Sequence, residues 1–118
     1  MFQNDFEAKD YEWIENFRKL VHDKIISGEL KTDEIQKLLF MNRTQYYAKV
    51  KALTGETPAA LIKEIRLEIA YELISQPNDL RISDVVQQLG LSDTKNFSKI
   101  FKDKYGVTPR EVKPKGKY

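Results

Sequence analysis

The chain has 118 residues, of which 41% are hydrophobic and 32% charged, and its formal net charge is +2. This length suits one compact domain with its own core, and the composition is typical of a folded protein. The sequence contains no cysteine and one histidine, His22, which excludes disulfides, thiolate metal sites and zinc sites built from paired histidines.

The first third of the chain predicts three helices. Apolar residues recur every three or four positions over about 10–26, and Gly28 ends this helix. Thr32, followed by two acidic residues, predicts the start of a short second helix. Asn42 predicts the cap of a third helix that ends before Gly55. The side chains expected to face the core in the second and third helices are Ile35, Leu38, Leu39, Tyr46, Val50 and Leu53.

The rest of the chain predicts a long connecting helix over about 58–75, two shorter helices and a final basic stretch. Residues 76–79 form a turn cluster, and Ser83 with Asp84 starts a short helix that Gly90 ends. Ser92 or Asp93 caps the next helix, which runs to Gly106. The side chains expected inside these helices are Ile62, Ile65, Ile69, Leu73, Val85, Val86, Leu89, Phe97, Ile100, Phe101 and Tyr105.

An internal repeat organises these elements. The run Gly-Glu-Thr-Pro at 55–58 returns as Gly-Val-Thr-Pro at 106–109, and each copy follows a short helix, a tight turn and a basic helix. We therefore predict an all-α fold of about seven helices within a single domain, 1–118. Its first helix-turn-helix subunit covers about 10–57, the connecting helix about 58–75 and the second subunit about 80–113.

Signatures of catalysis are missing from the sequence. The five glycines are isolated, so no phosphate-binding loop is present, and His22 lies in a charged helical stretch where we expect a surface position. No apolar run approaches the roughly 20 residues of a membrane helix, and residues 1–10 lack the pattern of a secretory signal. We predict a cytoplasmic protein that is not an enzyme and uses no cofactor or metal.

Charge is distributed unevenly. Residues 1–34 carry a net charge of −4, whereas residues 35–118 carry +6. Basic residues with hydrogen-bonding side chains between them suit a helix that reads base edges and anchors phosphates in a DNA major groove. A solvated helix face carries the same residue types, but the repeat favours DNA binding. Two such helices in one chain predict an asymmetric, bipartite site whose halves lie in successive major grooves, about 34 Å apart.

The chain resembles the AraC-type helix-turn-helix domain of bacterial transcription activators. The resemblance rests on three segments: 51–58 (KALTGETP), 65–70 (IRLEIA) and 96–109 (NFSKIFKDKYGVTP). The first segment is similar to the output domain at the C-terminus of hybrid two-component regulators. The resemblance implies double-stranded DNA as partner, with RNA polymerase and a sensor or receiver domain of a longer chain as further partners, and an isolated domain that is a monomer.

The same resemblance implies which residues contact DNA. The expected base-reading residues are Thr44, Gln45, Tyr47, Ala48, Thr94, Lys95, Asn96 and Lys99. The expected phosphate contacts are Arg43, Lys49, Lys51, Ser92 and Lys102. Arg66 matches an arginine typical of the family, with a structural role and a DNA-facing role both open.

Departures from the family pattern concentrate in the first subunit, where Gln36 and Phe40 replace a small alanine and the glycine of the turn. Ala48 stands where a longer polar side chain is frequent. In the second subunit Val86 replaces the alanine, while Gly90 is kept. We therefore expect the second unit to be the stronger reader, or the first to be tilted by bulkier packing. The alternative is a helical protein-interaction module with weakened DNA binding.

Overall fold

The computed structural model describes residues 8–91 and 93–114, which form seven α-helices and no strand. This confirms the predicted all-α fold. The helices are α1 (Ala8–Ser27), α2 (Thr32–Leu38), α3 (Arg43–Thr54), α4 (Pro58–Ser75), α5 (Ile82–Gln88), α6 (Thr94–Tyr105) and α7 (Pro109–Val112). Within these ranges no helix combines the length and hydropathy that crossing a membrane requires.

The chain divides into two compact units, and the boundary falls between Ile65 and Arg66. This boundary lies inside α4, the predicted connecting helix, which is continuous from Pro58 to Ser75. Each unit contains one short helix, a turn and one twelve-residue helix: α2 and α3 in unit 1, α5 and α6 in unit 2. The sequence repeat is therefore a repeat of structure.

Most of the core of unit 1 comes from the apolar stripes that the sequence predicts, although Leu61 is buried without having been predicted and Leu39 and Leu53 are only half-buried. Its fully buried residues are Phe17, Val21, Ile25, Ile35, Tyr46, Val50, Leu61, Ile62 and Ile65. Leu38, expected inside, is 45% exposed. A helix of seven residues presents only a short buried stripe, and in α2 Ile35 and the half-buried Leu39 occupy it. Leu38 falls at the edge of that stripe and faces solvent.

Aromatic rings dominate the core of unit 2. Phe97 and Phe101 of α6 are fully buried, with their ring centroids 5.5 Å apart. Tyr71 of α4 stacks on Phe101 at 5.8 Å and lies 4.6 Å from the ring of Tyr105. The other buried residues are Leu67, Ile69, Ala70, Ile74, Val85, Val86, Leu89 and Pro109. Phe97 and Phe101 are core residues, as the sequence predicts, whereas Tyr105 is half-buried and Tyr71 is 37% exposed.

The turns inside the two units share an unusual backbone conformation. Gly90 has a φ of 70°, and Phe40, at the equivalent place in unit 1, has a φ of 58°. The left-handed region is open to glycine but costs a bulky residue roughly 1–2 kcal/mol. The Phe40 side chain is 95% exposed, so its bulk does not enter the packing of unit 1. Phe40 therefore does not supply the bulkier packing that was expected to tilt the first unit.

Backbone hydrogen bonds close the two turns in the same way. The amide of Met41 donates to the carbonyl of Gln36 at 3.0 Å, and the amide of Leu91 donates to that of Val86 at 3.0 Å. Both bonds reach back over five residues, to a carbonyl that the short helix leaves without an internal partner. The turns that precede α3 and α6 therefore have the same pattern of backbone hydrogen bonds.

Two helix starts differ by one residue from their predicted positions. Lys31 flanks α2, so Thr32 is its first residue and not its cap, and no side chain caps this helix. Helix α5 begins at Ile82, one residue before Ser83. In both helices an acidic residue in the first turn interacts favourably with the unpaired amides, and this relaxes the need for a hydroxyl cap.

Candidate nucleic-acid interface

Helix α3 begins with a reciprocal cap. The Asn42 side-chain oxygen accepts a hydrogen bond from the backbone amide of Gln45 at 2.8 Å, and the Gln45 side-chain oxygen accepts one from the amide of Asn42 at 3.2 Å. This pairing satisfies two amides that the helix leaves open. The cap also engages the side-chain oxygen of Gln45. The side-chain nitrogen of Gln45 takes no part in the cap.

Helix α6 begins with a carboxylate cap at the equivalent position. The Asp93 side chain accepts a hydrogen bond from the backbone amide of Asn96 at 2.7 Å, while its own backbone is extended. Of the two predicted alternatives, Asp93 is the cap, and Ser92 lies outside the described residues. The cap directs the first turn of α6, which carries Thr94 and Lys95, away from the core.

Most of the predicted contact residues are exposed. Among the base-reading candidates only Tyr47 is half-buried, and among the four phosphate candidates that the structure describes only Lys49 is. The exposed set consists of Thr44, Gln45, Ala48, Thr94, Lys95, Asn96, Lys99, Arg43, Lys51 and Lys102. Each of these residues lies on α3 or α6, so each unit presents one polar helix face to solvent. Their roles toward DNA stay predictions.

Three of the predicted residues in unit 1 make cation–π contacts. The Arg43 guanidinium lies 4.8 Å from the centroid of the Tyr47 ring, and its Nη2 atom is 3.4 Å from the Tyr47 hydroxyl. The Lys49 ammonium lies 5.1 Å from the centroid of the Trp13 ring on α1. Such contacts contribute about 0.5–1 kcal/mol at exposed sites. Lys49 therefore stabilises the contact between α1 and α3.

A small groove beside α3 contains an unsatisfied hydroxyl. About 110 Å³ of space is lined by Thr32, Asp33, Gln36, Arg43, Tyr46, Tyr47, Pro58, Ala59 and Ile62. The Tyr46 hydroxyl is buried and has no hydrogen-bond partner among the described residues. Burial raises the pKa of Tyr46 to about 12, and the neighbouring Tyr47 adds to the shift. Gln36 thus lines this groove at a position where the family pattern has a small apolar residue.

The equivalent groove of unit 2 is larger and more basic. It encloses about 520 Å³ and is lined by Arg81, Ile82, Ser83, Thr94, Ser98, Thr108, Pro109 and Arg110. The lining next to α6 includes two guanidinium groups and four hydroxyls. Phosphate oxygens accept hydrogen bonds from groups of both kinds. Neither Arg81 nor Arg110 was predicted as a DNA contact from the sequence. The internal repeat could have indicated Arg110, because Arg110 follows Pro109, and Pro109 is the counterpart of Pro58 in the first unit.

Helix α7 holds Arg110 in this groove. Thr108 caps the helix by accepting from the amide of Glu111 at 3.2 Å, and the Glu111 carboxylate accepts from the amide of Thr108 at 2.8 Å. These bonds to Thr108 lower the pKa of Glu111 below its ordinary value. The carboxylate of Glu111, which is the acidic neighbour of Arg110, is therefore engaged in the reciprocal cap.

Within residues 8–91 and 93–114, no three acidic or histidine side chains gather as metal ligands would. His22 is on α1, 3.7 Å from the carboxylate of Asp23, and both side chains are largely exposed.

Comparisons with known proteins agree with this geometry. Residues 35–115 match the family described as helix-turn-helix domain. The chain is 32% identical over 102 residues to histidine kinase P4 of Formosa agariphila, covering 86% of this chain and 7% of that protein. It is 29% identical to the probable transcriptional regulator LumQ of Photobacterium leiognathi, covering 85% of this chain and 42% of that one. The chain thus spans less than half the length of these relatives.

Solved structures with this fold come from bacterial regulators. A transcriptional regulator of Chromobacterium violaceum, from the AraC-type DNA-binding domain-containing proteins, superposes with a TM-score of 0.78 at 25% identity, covering 90% of this chain and 93% of that one. The C-terminal domain of the two-component response regulator YesN from Fusobacterium nucleatum has a TM-score of 0.67 at 17% identity, with 87% and 99% covered. The second likeness concerns the fold alone.

Proposed function

The chain belongs to the AraC-type family of helix-turn-helix domains, and we propose that it binds double-stranded DNA sequence-specifically as part of a bacterial transcription regulator. One observation carries this proposal. Each unit presents one capped, twelve-residue helix with an exposed polar face, after a turn of the same backbone geometry. An α-helix of this kind fits the major groove, and its first turns are the part that reaches base edges.

The second unit is the main reader in this proposal. Thr94, Lys95, Asn96 and Lys99 read bases from the exposed face of α6, and Lys102 contacts a phosphate farther along the helix. Arg81 and Arg110 neutralise the phosphates that flank this helix, because both line the groove next to it. Phosphate contacts fix the position of a helix in the groove without reading sequence.

The first unit contributes less base discrimination. The cap of α3 engages the side-chain oxygen of Gln45, and Lys49 contacts Trp13 within the same unit. Ala48 offers only a methyl group to a base edge. Thr44 and Tyr47 remain as base-reading groups, with Arg43 and Lys51 as phosphate contacts. We expect this unit to supply affinity and spacing more than base preference.

A single chain with two readers requires a bipartite site without two-fold symmetry. The halves are expected in successive major grooves, about one helical turn apart. The chain spans 7% to 42% of the length of the two relatives named above, so a sensor or receiver domain of a longer protein is the expected source of regulation. RNA polymerase is the expected partner of the DNA-bound state.

Selection from a randomised duplex library tests the proposal directly. The 118-residue chain is incubated with the library at moderate salt, and the retained DNA is sequenced over several rounds. Enrichment of two elements about one helical turn apart supports the two-reader proposal. Enrichment of one element restricts base reading to one unit. Absence of enrichment, with no retention of generic duplex at low salt, contradicts DNA binding.

Variants of the enriched complex assign the roles. Asn96→Ala and Lys99→Ala should each weaken binding to the selected sequence by about 1–3 kcal/mol and relax preference in one half-site. Arg110→Ala should weaken binding to all sequences and reduce the slope of log affinity against log salt by about one. Lys19→Ala, which removes an exposed cation from α1, outside both predicted reading helices, is the matched control and should change neither quantity.

The second candidate function is protein binding by the first unit. It is favoured by the side chain of Phe40, which is 95% exposed in a strained turn beside the exposed Leu38. A module of this kind would show no steep loss of duplex affinity between roughly 50 and 200 mM salt, whereas a complex that neutralises several phosphates would. The same salt titration therefore separates the two functions.

A further inference from the structure

Arg66 makes a pair of hydrogen bonds to the turn of the second unit. Its Nη1 atom donates to the carbonyl oxygens of Leu89 and Gly90, each at 3.1 Å. Leu89 is the C-cap residue that follows α5, and Gly90 forms the turn toward α6. Carbonyls at the end of a helix have no amide of the helix to accept from, so a guanidinium group satisfies two of them at once.

Two features of this contact favour glycine at position 90. Its φ of 70° lies in the left-handed region, and a Cβ atom added there would come within 3.0 Å of the Arg66 Nη1 atom. Any side chain at this position therefore crowds the guanidinium as well as straining the backbone. Desolvation lowers the pKa of Arg66, yet a guanidinium stays protonated in proteins, so both hydrogen bonds remain charge-assisted.

Only a short segment separates this contact from the reading helix. Asp93, three residues after Gly90, caps α6, and the amide of Leu91 is already committed to the turn. A shift of the Leu89–Gly90 backbone would therefore be transmitted to the first turn of α6, which carries Thr94 and Lys95. Displacements of about 1 Å matter at such positions, because hydrogen bonds to base edges tolerate little misalignment.

From this geometry we infer that Arg66 is a positioning residue for the second recognition helix, and that it acts through the turn without contacting DNA. The inference rests on the proposed function and deepens it, because it assigns base discrimination in one half-site to a side chain on α4. It also decides between the two roles that the sequence left open for this arginine. In the described structure its Nη1 atom donates to two protein carbonyls.

Three variants separate this role from a phosphate contact. Arg66→Ala removes both hydrogen bonds, Arg66→Lys keeps the charge but loses the planar donor group, and Gly90→Ala displaces the guanidinium without altering it. On the selected duplex, each variant should lose base preference in the half-site read by α6. The expected loss is roughly tenfold for Arg66→Ala, as for other hydrogen bonds to charged groups. Preference in the other half-site and the salt slope should stay unchanged.

A phosphate contact would give the opposite pattern. Arg66→Ala would then reduce the salt slope by about one without changing base preference, and Arg66→Lys would bind nearly as the wild type does. That pattern would overturn the inference while leaving the proposed function intact. If the wild-type chain retains no duplex, the proposed function itself fails, and the inference fails with it.

Amide hydrogen exchange on the free protein provides a readout that needs no DNA. Arg66→Ala should accelerate exchange at Gly90, Leu91 and Phe97, whose amides donate within the turn or to the cap residue of α6. Exchange in α3 should stay at its wild-type rate. Unchanged exchange at the turn in Arg66→Ala would show that the hydrogen bonds do not hold the segment, and the inference would be wrong.

Discussion

Replacing Phe40 with glycine should stabilise the first unit. The backbone at this residue has a φ of 58°, and the ring is 95% exposed, so removing the ring sacrifices almost no buried surface. Relief of the left-handed backbone is favourable by roughly 1–2 kcal/mol. The added freedom of glycine in the unfolded chain opposes it by roughly 0.5–1 kcal/mol. The free energy of unfolding should therefore rise by about 0.5 to 1 kcal/mol.

Urea denaturation followed by the fluorescence of Trp13 measures this change. Trp13 is the single tryptophan of the chain, and its ring stacks on Phe17 at 5.8 Å, so its emission reports on unit 1. In a thermal melt the same gain corresponds to about 2–4 °C. The urea midpoint should increase with an unchanged dependence on denaturant, because the surface exposed on unfolding is nearly the same.

Phe40→Ala is the matched control for this prediction. Alanine removes the ring but keeps a Cβ atom, so the left-handed backbone remains strained and stability should stay close to that of the wild type. If Phe40→Ala stabilises the protein as much as Phe40→Gly does, the ring and not the backbone is the source of the effect. If Phe40→Gly destabilises the protein, the ring has a stabilising contact and the reasoning from exposure is wrong.

Three further predictions concern the caps, the buried hydroxyl and the lysines of α3. Asp93→Ala should destabilise unit 2 by about 1 kcal/mol through loss of the α6 cap, seen as faster amide exchange in that helix. Tyr46 keeps its proton up to a pKa of about 12 in the folded protein, whereas its unfolded counterpart ionises near 10. Stability should therefore fall as the pH rises from about 10 to 12, less so in Tyr46→Phe, and equal pH profiles would contradict the burial argument. Lys51→Ala should reduce the slope of log affinity against log salt for DNA binding by about one. Lys49→Ala should reduce this slope less and should shift the fluorescence emission of Trp13, because Lys49 contacts the Trp13 ring. Equal slopes for the two variants would show that Lys49 also contacts phosphate.

The helices were predictable because their signals are local. The bounds of α4 were predicted at 58 and 75, and the glycines after α1, α3 and α6 mark the ends of those helices, each with a positive φ. A cap, a glycine and an apolar period of three to four act within a few residues, so the sequence displays them directly. The polar faces of α3 and α6 follow from the same periodicity.

What could not be predicted depends on contacts between distant residues. The carbonyls that Arg66 binds are 23 and 24 residues farther along the chain, and no periodicity links them. Arg81 and Arg110 line one groove only because the fold brings the starts of α5 and α7 to the same side of α6. Leu38 was misplaced for a related reason, because the pattern of a seven-residue helix does not reveal which apolar residue the neighbouring helices can cover.

The contrast between Gly90 and Phe40 gives the two halves of the protein unequal freedom to mutate. Position 90 disfavours a side chain on two counts, because its backbone is left-handed and a Cβ there would lie 3.0 Å from the Arg66 Nη1 atom. At position 40 the side chain extends into solvent, so its chemical identity is unconstrained by packing, and only its tolerance of positive φ matters. Repeated rounds of mutation under selection for DNA binding should therefore retain glycine at position 90 and allow many different residues at position 40. A duplicated motif in which one copy is locked can acquire new contacts through the other without losing its original activity.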